Sequence, residues 1–242
     1  SLTLREPVDI NAVDQQVAPA LRSARGEPPA AGAGEKILYV SYDGILEPLG
    51  ESQVLGYLER LAKAKALTLM SFEKAHDLRE VGRRQQMRER LSRRGITWIP
   101  LRYHKHPPVV STAVDVVRGM WPAIRWARRY RRGVVHARGY VAALIGLALK
   151  RLFRTSFLFD MRGFWADEKV DGGHWSKRSV IYRLTKCCER WFFESADGIV
   201  SLTHEGLRVL PELGYRIRRE APREVIPTCT DLRRFCPAPK DA

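Results

Sequence analysis

Three short strings in this 242-residue sequence bring charged, aromatic and glycine residues close enough together to handle a ligand. The richest is Phe159-Asp-Met-Arg-Gly-Phe-Trp-Ala-Asp-Glu168, at the end of an apolar run. Asp160, Asp167 and Glu168 offer acceptors for hydroxyl groups, Arg162 a cation for a phosphate, and Trp165 a face for stacking. A carboxylate there could also act as a general base. The same residues would equally make a structural Asp–Arg pair with a tryptophan tucked over the core.

The second string runs from Ser41 to Val54 and contains Asp43, Gly44, Pro48, Gly50, Glu51 and Ser52. Gly50 would let the backbone turn sharply, and Ser52 is a good N-cap. Free amides at the helix start would favour a phosphate. A capped loop with no ligand reads from the same letters. In the third string, Val135-His-Ala-Arg-Gly139, a lone His136 after an apolar run is more often structural than catalytic. Arg138, beside a glycine at a helix start, is the better ligand candidate. Ser201-Leu-Thr-His204 resembles a polar strand end, with Thr203 as a cap.

Other chemistries find no support. There is no Ser/His/Asp triad, HExxH box, CxxC pair, P-loop or GxGxxG fingerprint. No metal site is expected. His104 and His106, with Lys105, flank Pro107-Pro108 and read as surface loop residues.

Something must hold these strings in place, and the sequence alternates accordingly. Short apolar runs at 37–40, 67–72, 96–99, 133–136, 157–160, 198–201 and 224–226 predict strands. Helical spacing falls at 52–65, 77–94, 112–132, 140–152 and 178–194, with a short helix after Thr203. Pro122 should kink its helix or start a new segment; residues 161–176 read as a loop. About seven strands separated by helices predict a Rossmann-like, mainly parallel α/β sheet with helices on both faces. Ligands in such sheets collect at the carboxyl ends of strands, where all three strings lie. Residues 1–35 read as a flexible arm, 36–226 as one domain, and 227–242 as the start of a hinge.

Composition narrows the partners. A formal charge of +15 favours anionic ones: nucleic acid, an acidic membrane or phosphorylated substrates. The basic segments Arg79–Arg94 and Arg125–Arg132, the latter with Trp126 and Tyr130, could rest on an anionic bilayer or be solvated helix faces. Four cysteines without metal spacing, two of them adjacent, point to a reducing, cytoplasmic setting. The longest apolar run, 141–149, is far short of the roughly 20 residues a membrane span needs.

Taken in order, the strings resemble the glycosyltransferase family 4 of GT-B fold. Pro48-Leu-Gly-Glu-Ser-Gln-Val54 is similar to the first loop of a subset of that family. Val135-His-Ala-Arg138 is similar to its V-H-A-H strand end, and residues 160–168 to a D-x-R-G-x-W-x-D-E string. Ile226-Pro-Thr-Cys-Thr-Asp-Leu-Arg-Arg-Phe-Cys-Pro237 resembles its I-P-N-G-V-D hinge, with Thr228 for Asn and Cys229 for Gly. The resemblance implies the acceptor-side half of a retaining enzyme that moves a sugar from a UDP- or GDP-sugar to a hydroxyl of a glycan or lipid-linked acceptor. A C-terminal donor domain, in the same or a separate chain, would complete it, and this portion alone would be inactive. Gly50, Glu51 and Ser52 match the loop near the donor phosphates. Asp160 would orient a sugar hydroxyl and Arg162 neutralise phosphate charge. Asp43, His136, Arg138, Trp165, Asp167, Glu168 and Thr203 fall at substrate positions, with no permanently bound cofactor. A peripheral place at the inner face of the membrane would suit such acceptors. The competing class is a basic, non-enzymatic nucleic-acid binder or a scaffold; no RRM, KH or zinc-finger pattern supports nucleic acid.

Overall fold

The computed structural model describes residues 35–228. Seven strands form a single sheet: β1 (Lys36–Ser41), β2 (Ala66–Glu73), β3 (Ile96–Arg102), β4 (Val134–Arg138), β5 (Ser156–Met161), β6 (Gly198–Ser201) and β7 (Arg223–Val225). Their order is β3-β2-β1-β4-β5-β6-β7, and every pairing is parallel. The central strands are apolar on both sides because helices cover both faces, as parallel sheets require. After β3 the chain crosses to the far side of β1, so β1 and β4 flank a topological switch point. In open sheets a ligand crevice opens there, outside the strand ends.

The connections are α1 (Pro48–Gly50), a π-helical stretch (Glu51–Leu55), α2 (Gly56–Leu61), α3 (Ala75–Arg79), α4 (Val81–Arg93), α5 (Pro108–Arg129), α6 (Gly139–Phe153), α7 (Trp165–Asp171), α8 (Val180–Ser195) and α9 (His204–Arg208). On one face α5, α6 and α8 bury Trp126, Ile145, Phe192 and Phe193 against Phe157 and Phe159. On the other, Leu55, Leu58, Met87 and Leu91 pack on Tyr39, Leu69 and Trp98.

Four local expectations change. The first helical stretch begins at Pro48, not after Ser52: proline at the first helical position carries a preset φ and needs no amide partner. Ser52 therefore lies inside the stretch, where its hydroxyl donates to Leu49 O at 3.1 Å instead of capping. The basic segment splits into α3 and α4 at Glu80, whose ψ of 84° leaves the helical region. Pro122 starts no new segment, since α5 runs through it from Pro108 to Arg129. The segment after β5 is not all loop, since it contains α7.

Candidate functional site

Strand register assembles the site. Tyr39 pairs with His136, Ser41 with Arg138, and Arg138 with Asp160. Because side chains alternate along a strand, these five share one face of the sheet at its C-terminal rim. His136 Nε2 lies 3.3 Å from Asp160 Oδ2, and its ring packs against Tyr39 with centroids 4.4 Å apart. Arg138 Nη1 is 4.0 Å from the same carboxylate oxygen, and its Nε 3.6 Å from Asp43 Oδ2. Arg138 Nη2 donates to Gln53 Oε1 at 2.9 Å. Arg162 Nη2 donates to that oxygen at 3.3 Å and to Thr228 Oγ1 at 3.1 Å.

Asp160, His136 and Arg138 are all buried. Burial, the largest influence on Asp160, pushes its carboxyl up. The hydrogen bond with His136 and the nearby guanidiniums outweigh it and hold the group below the usual carboxylate range. Burial and then the Arg138 charge lower Arg162. Burial also raises the Tyr39 phenol, which stays neutral. Among the described residues four buried side-chain polar atoms have no hydrogen-bond partner; besides Asp77 Oδ2 and Thr155 Oγ1 they are two of this cluster, Asp160 Oδ1 and Arg138 Nε. Such orphans are uncommon in a folded chain. A ligand with a hydroxyl to donate and an anionic group to share between the guanidiniums would satisfy both. The cluster can thus orient a hydroxyl and bind an anion.

The first loop is pinned beside this cluster by a residue that sequence reasoning passed over. Glu73, buried at the end of β2, accepts from Ile45 N at 3.0 Å, Leu46 N at 3.1 Å and Ser71 Oγ at 2.5 Å. Gly50 has ordinary helical angles, φ −63° and ψ −41°, so no sharp turn requires it. Glycine is needed for close approach instead: a Cβ there would sit 1.9 Å from Gly44 O. Glu51 points to the neighbouring helix, forming ion pairs with Arg90 that also engage Glu59.

The remaining predicted residues fall into two groups. Asp43 is at the cluster, with its side chain exposed. Trp165 packs edge-on against Trp175, 5.1 Å between centroids, and against Tyr140. Asp167 accepts from Tyr182 OH at 2.8 Å and Lys186 Nζ at 2.9 Å, a structural clasp between α7 and α8. Glu168 folds back on its own loop, so close that a Cβ on Gly163 would meet its Oε1 at 2.0 Å. Thr203 caps α9, accepting from Gly206 N at 3.0 Å. His104 is more than a surface residue: its Nδ1 meets Asp115 Oδ1 at 2.5 Å, and the buried Asp115 also accepts from Tyr42 OH. Asp115 joins α5 to the first and third strand-end loops. Among the described residues, no group of three His, Cys, Asp or Glu is placed to hold a metal.

The sequence model of the glycosyl transferase 4-like domain matches residues 54–229. The chain belongs to this family. No curated protein matches it significantly. Its fold is similar to that of HepE from Anabaena. In the HepE complex with UDP and glucose the TM-score is 0.53 at 12% identity, covering 85% of this chain and 47% of HepE. In the complex with UDP-glucose it is 0.52 at 13% identity, with the same coverages. The chain thus spans about half the length of these structures. The glycosyl transferase 4-like match takes in His136, Arg138, Asp160 and Arg162, and begins one residue after Gln53.

Gln53 and Tyr39 are cluster members that the sequence did not single out. Gln53 lies within the 41–54 string beside Gly50 and Ser52, and its amide is a usable signal. Tyr39 sat within an apolar run, where a tyrosine is indistinguishable from core. Nothing local marked Glu73, because its partners lie 27 and 28 residues away.

Proposed function

We propose that this glycosyl transferase 4-like domain is the acceptor-side half of a retaining glycosyltransferase. It would move a sugar from a UDP- or GDP-sugar to a hydroxyl of a glycan or lipid-linked acceptor. The observation that carries the reading is the buried Asp160–His136–Arg138–Arg162 cluster at the β1/β4 switch point, with its unsatisfied carboxylate oxygen and guanidinium nitrogen. Asp160 orients a sugar hydroxyl. Arg138 and Arg162 stabilise charge that develops on the departing diphosphate, a largely electrostatic contribution. Glu73 holds the first loop where Gly50 and Gln53 can approach that group.

A second, donor-binding domain would close over this rim; the expected hinge at 227–242 lies, beyond Thr228, outside the described residues. The coverage of about half of HepE supports that division. A reducing, cytoplasmic setting suits the adjacent free thiols of Cys187 and Cys188.

The test is transfer by the complete enzyme from UDP- and GDP-sugars, with the product's anomeric configuration read by NMR. Retention, with turnover reduced at least a hundredfold in Arg162→Gln and melting unchanged, supports the proposal. Inversion removes the retaining mechanism, and unaltered turnover removes Arg162.

A further inference from the structure

The helical layer that carries α5, α6 and α8 has an outer surface that the transfer chemistry does not use. On α5, Val110, Val114, Val117 and Trp121 line one stripe, with Val117 70% and Trp121 68% exposed. At about 100° per residue these four fall within roughly 60° of one another. Arg118, Arg125, Arg128 and Arg129 are exposed beside and beyond them. The only carboxylate of α5, Asp115, faces inward and is buried.

A second stripe on α8 repeats the pattern. Val180, Leu184 and Trp191 are 71%, 62% and 46% exposed, and Arg183 and Arg190 are exposed next to them. Both helices pack against α6 over the same core, so both belong to one side of the sheet. Of the carboxylates on α8, Glu189 is buried and Glu194 half-buried, so arginines outnumber acids on both exposed faces.

The more arginine-rich α4 is different. It lies on the opposite side of the sheet, and acidic partners run through it. Arg90 pairs with Glu51 and Glu59, Arg83 with Asp77, and Arg93 with Glu89. The two basic segments picked out by sequence therefore cannot rest on one flat surface.

We infer that the α5/α8 side is a docking face for a bilayer containing anionic lipid. Solvated arginines alone would suit any polyanion, but a polyanion does not account for the exposed valines, leucine and tryptophans. Apolar stripes flanked by arginine, with tryptophan among them, match an interfacial helix lying in the headgroup region. Among the described residues no helix is long and apolar enough to cross a membrane, so the contact is peripheral. The N-terminal end of α5 lies at the strand-end rim, tied there through Asp115 to Tyr42 and His104. Docking would bring that rim down to the membrane surface. That the acceptor is lipid-linked rests on the transfer reading; the docking itself stands on the surface alone.

The test is cosedimentation of the chain with phosphatidylcholine vesicles, with and without phosphatidylglycerol. We expect binding only to the anionic vesicles, falling as salt rises. Arg125→Gln with Arg128→Gln should weaken it about thirtyfold, and Val117→Ser with Trp121→Ser at least tenfold, both with unchanged circular dichroism. Equal binding by these variants overturns the proposal. So does equal binding to neutral vesicles, a dimer in solution that Trp121→Ser dissociates, or tighter binding to RNA than to anionic vesicles. Transfer to a water-soluble acceptor should be unaffected by Trp121→Ser. Loss of vesicle binding with transfer intact, or the converse, separates the two proposals.

Discussion

Replacing Asp160 by asparagine keeps the shape of the side chain and removes one charge from the centre of the cluster. At 4.0 Å from Arg138 Nη1, that charge is worth about 4 kcal/mol at an effective dielectric near 20. Removing one partner of a buried pair costs about 3–5 kcal/mol, because the other charge stays buried. Asparagine can still contact His136, and Asp43 remains 3.6 Å from Arg138, so a loss of about 3 kcal/mol is expected at pH 7. In a domain of this size that corresponds to a melting temperature lower by roughly 6–12 °C. The pH dependence provides an independent check. The Asp160 pKa is depressed by folding, so its contribution is complete above the unfolded value of about 3.9 and disappears as pH falls through the lower native value. Urea unfolding of both proteins should therefore show a constant gap from pH 8 to about pH 5, narrowing in stronger acid. Adding Arg138→Met to Asp160→Asn should recover part of the loss. An asparagine variant within about 1 kcal/mol of wild type at pH 7 would refute the reasoning, because the charge would then not be compensating a buried guanidinium.

Two further predictions concern the first loop. Gly50→Ala places a Cβ 1.9 Å from Gly44 O, so the loop must shift; melting should fall by several degrees, and a variant that melts with wild type means the backbone is not packed this closely. Glu73→Gln presents an amide donor to backbone N–H groups that need acceptors, costing about 1–3 kcal/mol in urea unfolding. Burial raises the Glu73 pKa, so its protonation stabilises the fold below about pH 4.3 and that contribution is lost as pH rises through the native value; the wild-type advantage should follow this pH course, and a pH-independent difference counts against it.

Much of the molecule can be read from the chain alone. The alternation of apolar runs and helical spacing specifies an α/β sheet, because strands buried on both faces must be continuously apolar while the covering helices are amphipathic. The strings at 135–139 and 159–168 disclose His136, Arg138, Asp160 and Arg162, since charged residues directly after an apolar run have little reason to be there except at a strand end.

What the chain does not disclose is long-range and directional. Pairing of Arg138 with Asp160 follows from register between strands, a relation between residues 22 apart that no local pattern encodes. The same holds for Glu73 under the first loop, for Asp115 between Tyr42 and His104, and for Asp167 and Glu168, which the fold turns away from the cluster. Composition reports how many arginines there are. Only the sheet decides that α4 and α5 stand on opposite sides of it, because the right-handed crossovers change face when the chain passes from β3 across β1 to β4.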